Sequence, residues 1–134
     1  MKPVDTAEQG IIQLPSRHSV LATMDRLESL LKERGITVFA RIDFSGDAAR
    51  SGLSLRPQQL LIFGNPKAGT PLMATAPTAG LDLPLKALVW EDTDGRTHIA
   101  YNDPQYIVRR HGLPAALGAN LAAALPILEL AARE

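Results

Sequence analysis

Apolar positions along the chain change period several times, and each change marks an element. Residues 10–14, GIIQL, are a short apolar run that ends at Pro15 and predict a strand. Ser19 is then placed to cap a helix, and Val20, Met24, Leu27 and Leu31 recur at helical spacing with Leu30 beside them. Asp25, Glu28, Lys32 and Glu33 lie off that stripe, Glu28 and Lys32 as a favourable i,i+4 pair. Gly35 stands where a helix C-terminus favours glycine. Residues 36–43, ITVFARID, are β-branched and aromatic, and simple alternation sets Val38, Ala40 and Ile42 on one face with Phe39, Arg41 and Asp43 on the other. Ser45 to Pro57 is a connection with room for a helical turn. Gln59 to Phe63 is apolar on both faces after its first residue, as a central strand requires.

Gly64, Asn65 and Pro66 then turn the chain into a helix that fades before Pro77. Leu85–Glu91 and Thr97–Tyr101 read as strands joined by a two-residue turn at Asp94-Gly95. Asp103-Pro104 opens a short helix to about His111, and Pro114 starts a last one with Leu117, Leu121, Leu125 and Leu128 near one stripe. Ala122, Ala123, Ala124, Ile127 and Leu130 widen that stripe, so this helix is either sandwiched in the core or buried in a dimer. The order β-α-β-β-α-β-β-α-α predicts an α+β fold. It is a two-layer sandwich: a mixed or mainly antiparallel sheet of about five strands, with helices packed on one face. One domain spans residues 1–134, with an apolar C-terminal helix over 114–132.

Composition narrows the function classes. Lys plus Arg equals Asp plus Glu at 14 each, and aromatic residues are 4%, so neither a basic patch nor a base-stacking surface is expected and nucleic acid is not a predicted partner. The chain has no cysteine, which removes disulfides, thiolate metal sites and thiol nucleophiles. Asp5 and Glu8 precede any apolar run, the wrong order for a secretory signal, so a cytoplasmic protein is expected. Leu113 to Leu128 is uncharged but shorter than the ~20 residues of a membrane span, and Pro114, Gly118, Asn120 and Pro126 interrupt it, so no membrane association is predicted.

Two polar constellations stand out. With Asp94 and Gly95 as the turn, Trp90 faces Ile99, Leu88 faces Tyr101 and Lys86 faces Asp103 on one side, while Glu91 faces His98 and Val89 faces Ala100 on the other. The Trp90–Leu88 side would be the core side, with Lys86, Tyr101 and Asp103 at its rim. That cluster reads either as an anion or acid–base site or as a rim ion pair in which Asp103 caps a helix. The second is Gly64-Asn65-Pro66-Lys67-Ala68-Gly69-Thr70, a helix N-terminus with Lys67 adding charge, which is either an anion site or simply a well-capped helix. It is not a phosphate-binding P-loop, because Thr70 occupies the place of the lysine. His18, His98 and His111 are scattered without metal-ligand spacing; His18 with Asp43 is the one weak metal candidate. No G-x-S-x-G elbow and no G-x-G-x-x-G after a strand occurs, and no cofactor is specified.

The stretches TVFARID, LRPQQLLIFGNPKAGTPLM, GLDLPLKALVWED and YNDPQYIVRRHGL resemble domain-of-unknown-function family 302 over about residues 10–113. The resemblance implies a compact two-layer α/β domain, often a homodimer, and brings no catalytic residue with it. Phe44 stands where many relatives place a His after the Asp of the RID segment, which weakens any metal role at that point. The resulting expectation is a homodimeric binding or regulatory domain for a small anion or metabolite. The ligand would sit near Lys67 or near Lys86, Tyr101 and Asp103. An enzyme using Lys86 and Asp103 as an acid–base pair, and a structural module that oligomerises through the last helix, are the alternatives.

Overall fold

The computed structural model describes residues 9–133; Asp5 and Glu8 of the amino terminus lie outside them. Five strands, β1 (Ile11–Ser16), β2 (Thr37–Asp43), β3 (Gln58–Gly64), β4 (Leu85–Glu91) and β5 (Thr97–Asn102), form one sheet in the order β1-β5-β4-β3-β2. Every neighbouring pair is antiparallel, which resolves the expectation of a mixed or antiparallel sheet. The helices are α1 (Val20–Glu33), α2 (Phe44–Arg50), α3 (Pro66–Thr75), α4 (Pro104–Arg110), α5 (Gly118–Ala122) and α6 (Leu125–Arg133).

The caps act as the sequence predicts. Ser19 Oγ accepts from Ala22 N–H at the start of α1, and Gly35 follows its end at φ 72°. Asn65 and Asp103 accept from Lys67 and Gln105 N–H, each followed by a proline at the first helical position. The connection after β2 forms α2, with Asp43 as its cap.

One face of the sheet carries the core. Leu61, Phe63, Ala87, Val89, Ile99 and Tyr101 point at Val20, Met24, Leu27 and Leu31 of α1 and at Ile127, Leu128 and Ala131 of α6. The single last helix expected over 114–132 is divided into α5 and α6 by a turn at Ala123–Ala124, and α6 is packed against α1 and β1. The stretch Ala115–Arg133 is long and apolar enough to cross a membrane by length and composition, yet its apolar residues help build this core and a second cluster. That second cluster, Leu72, Ala79, Ile107, Val108, Leu113 and Leu121, joins α3, α4 and α5. The opposite face of the sheet contributes no residue to either cluster.

Two register expectations are corrected. Val38 and Arg41, not Val38 and Ala40, share the helix-covered face, because a bulge at Phe39 shifts the register between Val38 and Ala40. Arg41 thereby reaches Asp25 and Glu28 of α1 at 2.7 and 3.1 Å. In the hairpin, Trp90 pairs with His98, Val89 with Ile99 and Ala87 with Tyr101, one step from the predicted register. The cause is Asp92, whose Oδ1 accepts from Asp94 and Arg96 N–H and so makes a three-residue loop of Thr93, Asp94 and Gly95, with Gly95 at φ 79°. A one-residue slip exchanges the faces of a strand, so Val89 and Ala87 are core and Trp90 and Leu88 are not.

Asp92 also predicts an acid sensitivity. The hydrogen bond from the His98 ring at 2.7 Å, with the Arg96 and Asp94 amides, holds its carboxyl at about 2 instead of the ordinary 3.8. A carboxylate acidified by folding stabilises the fold fully above its ordinary value, and that contribution disappears as pH falls through the folded value. Thermal unfolding of the wild type is therefore expected to weaken between about pH 4 and about pH 2, and Asp92→Asn to weaken less over that window. Parallel loss in both proteins would remove Asp92 as the cause.

Candidate functional site

The sheet, α1, α3, α5 and α6 leave a cavity of about 490 Å³ at the end of β3. Phe63 and Leu85 line it from the sheet, Leu121, Ala124 and Ile127 from the helices, and Ile36 from the link between α1 and β2. The bulge residue Phe39, 53% exposed, also lines it, with Leu83 and Pro84, and Leu83 comes within 3.8 Å of where a Cβ on Gly69 of α3 would stand. The wall from α3 consists of Pro66, Ala68, Gly69, Thr70 and Met73, with Gly64 and the cap Asn65 ahead of it. Asn120 Nδ2 donates to Ala68 C=O at 3.2 Å and ties α5 to α3 across the cavity.

The lining is mostly apolar. Asn65, Thr70 and Asn120 supply neutral polar groups; among the described residues Arg34 is the one charged side chain lining it, and no carboxylate does. A cavity of this size and composition suits a small organic molecule, in the usual range of ~300–1,000 Å³ with few polar groups to orient the ligand.

The GNPKAGT segment predicted from sequence is thus one wall of the site. Lys67 itself is exposed on the outer side of α3, and its neighbours Pro66 and Ala68 line the cavity. The second constellation is not assembled. Lys86 pairs with Ile62 on the uncovered sheet face and its ammonium donates to Pro84 C=O at 3.4 Å. Tyr101 is on the covered face, where burial, with Glu129 and Asp103 nearby, pushes its phenol upward. Asp103 caps α4, accepting from Gln105 N–H at 2.9 Å. Among the described residues no ion pair joins Lys86 to Asp103, so the acid–base pairing lacks its geometry; the hairpin register is the reason.

His18 and Asp43 follow β1 and end β2, the two opposite edges of the sheet. Four strand spacings of about 4.8 Å separate those edges, roughly 19 Å, too far for a shared ion. No group of three or more potential metal ligands occurs among the described residues. Sequence reasoning missed Arg34, Phe39 and Asn120. The signal for Arg34 was its place just before Gly35 at a helix end; Phe39 needed the bulge and Asn120 the folding-back of α5.

Another cluster lies between α4 and the 77–82 turn. His111 Nε2 and Arg110 meet the Asp82 carboxylate at 2.5 and 3.0 Å, and His111 Nδ1 meets Thr78 Oγ1 at 2.9 Å.

Comparison with known proteins agrees with the fold. The pattern of the family described as "Domain of unknown function DUF302" matches residues 12–128. A solved structure of an uncharacterised conserved DUF302 protein from Bacillus stearothermophilus superposes with a TM-score of 0.75, covering 92% of this chain and 95% of that one at 22% identity. The chain is 44% identical over 106 residues to "Fluoride-specific ion channel FluC 1" of Brucella suis biovar 1 and to "Fluoride-specific ion channel FluC 2" of Brucella melitensis biotype 1. That stretch is 79% of this chain but 42% and 39% of those proteins, so the chain spans about two fifths of their length.

Proposed function

The chain belongs to the DUF302 family, and from the cavity within its fold we propose that it is a binding or regulatory domain for a small, largely apolar organic molecule. The observation that carries this reading is the 490 Å³ cavity between the sheet, α3, α5, α6 and the end of α1. It modifies the expectation of a small anion. A bare inorganic ion would lose its hydration against Phe63, Leu85 and Ile127 without enough polar partners to replace it. Occurrence of the homologous stretch as about two fifths of proteins named fluoride-specific ion channels supports a module that is joined to larger proteins. The domain's part there would be to report a ligand, not to conduct an ion.

Titration with the neutral apolar dye N-phenyl-1-naphthylamine tests the reading. A side chain at Gly69 would grow toward Leu83 and Met73, which a Cβ meets at 3.8 and 3.9 Å. Gly69→Leu is therefore expected to weaken dye binding at least tenfold. Its thermal stability should hold or rise, because glycine in a helix costs about 1 kcal/mol. Equal dye binding by wild type and Gly69→Leu would sink the cavity as the site.

The uncovered sheet face supports a homodimer. Leu60, Ile62, Leu88, Trp90 and Ala100 stand there, with His98 stacked on Trp90 at 4.7 Å between ring centres. Five strands about 4.8 Å apart and about six residues long give a footprint near 450 Å². Two such faces together bury on the order of 1,000 Å², the lower bound for a specific interface. Sedimentation should give twice the chain mass for the wild type and a monomer for Leu88→Lys; a monomeric wild type removes this reading.

A further inference from the structure

The cavity's charge pattern goes further than its volume, and rests on the binding reading above. Arg34 is at the C-terminal end of α1, where its backbone N–H donates to the Leu31 carbonyl and that of Gly35 to the Lys32 carbonyl. It is exposed and lines the cavity; among the described residues its side chain makes only a long contact of 3.4 Å to Leu30 C=O and forms no ion pair. Arg41, one strand away, is by contrast held by two carboxylates and a glutamine. A guanidinium free of carboxylate partners beside an apolar cavity keeps its fork of donors available for a planar anion.

We propose that the ligand is an apolar monocarboxylate, its chain or ring in the cavity between Phe63, Leu85 and Ile127 and its carboxylate on Arg34. Three features of the lining favour this class over the others. Among the described residues no acidic side chain lines the cavity, so a cationic ligand finds no counter-charge there. One positive residue, not several, suits one negative head group. The remaining polar groups, Asn65, Thr70 and Asn120, are neutral and few, which leaves the interior to hydrocarbon. At about 30 Å³ per non-hydrogen atom the cavity holds roughly 16 of them, so a ten-carbon acid with about a dozen such atoms fits inside.

Calorimetric titration of the full chain with decanoate and with decan-1-ol separates the head group from the tail. Wild type should bind decanoate at least fivefold more tightly than decan-1-ol. Arg34→Met, which keeps the aliphatic stem, should erase that preference while leaving decan-1-ol binding unchanged, and Arg34→Lys should restore most of it. Gly69→Leu should weaken both ligands at least tenfold. If decanoate and decan-1-ol bind wild type equally, or Arg34→Met retains the preference, the carboxylate assignment is overturned while the cavity still stands as a binding site. If Gly69→Leu binds both ligands like wild type, or wild type binds neither, the cavity reading falls and the carboxylate assignment with it.

Discussion

Phe63→Ala is expected to cost about 3–5 kcal/mol of folding stability, the range for deleting a buried aromatic side chain. Phe63 is 2% exposed, pairs with Val38 on β2 and Leu85 on β4, and packs in the main core. It also lines the cavity. The space left by its ring therefore joins a void that already exists, and relaxation of the surroundings cannot close both. That places the cost toward the upper part of the range, because destabilisation rises with the volume that stays empty. Domains of this size hold about 5–15 kcal/mol in total, so the variant retains a fold with little margin. In urea the unfolding midpoint should drop with the slope unchanged. A saturating apolar dye should recover part of the loss, since any ligand that binds only the folded state stabilises it. A loss under about 1 kcal/mol would mean that Phe63 does not bridge core and cavity in solution.

The fold was legible because its elements announce themselves over short windows. Ser19 to Gly35 contains a cap, an apolar stripe and a stop signal, and α1 occupies that span. The prolines at 66 and 104 mark α3 and α4 as clearly. The failures came where one side chain redirects a backbone. Asp92 accepts two loop amides, and no periodicity reveals that its loop has three residues where the Asp94-Gly95 signal promises two. That single residue moved Trp90 off the core and separated Lys86 from Tyr101. The bulge at Phe39 did the same to β2, sending Arg41 toward α1 and Phe39 to the cavity lining.

The candidate site was legible only in part, for a related reason. Its α3 wall is contiguous in sequence, so the GNPKAGT stretch drew notice as a helix start before it had a cavity to line. The other walls arrive from residues 34–39, 63–64, 83–85 and 120–127, which nothing but the completed sheet and the return of α5 and α6 brings together. Residues that merely converge carry no local pattern, and Arg34 reads from sequence as an ordinary charged helix end.

The wall formed by Leu83 and Pro84 depends on the residue just before it, which gives the second large effect. Asp82→Ala is expected to cost about 2–3 kcal/mol, because it strips a hydrogen bond to a buried ring. The His111 side chain is 4% exposed and meets Asp82 Oδ2 at 2.5 Å; without the carboxylate its Nε2 has lost its partner. Arg110, half exposed, adds little, since exposed ion pairs contribute about 0–1 kcal/mol. Asp82→Asn keeps an acceptor at the same place and should cost less, while Thr78→Val should cost least because Thr78 is exposed. Urea unfolding of the three variants checks that order. The clamp fixes the 77–82 turn against the end of α4, so its loss also frees the chain at Leu83 and Pro84, and dye binding should weaken in Asp82→Ala along with stability. If Asp82→Ala unfolds earlier yet binds dye like wild type, the clamp holds α4 alone, and the cavity wall is kept in place by Leu83 packing into the second core cluster.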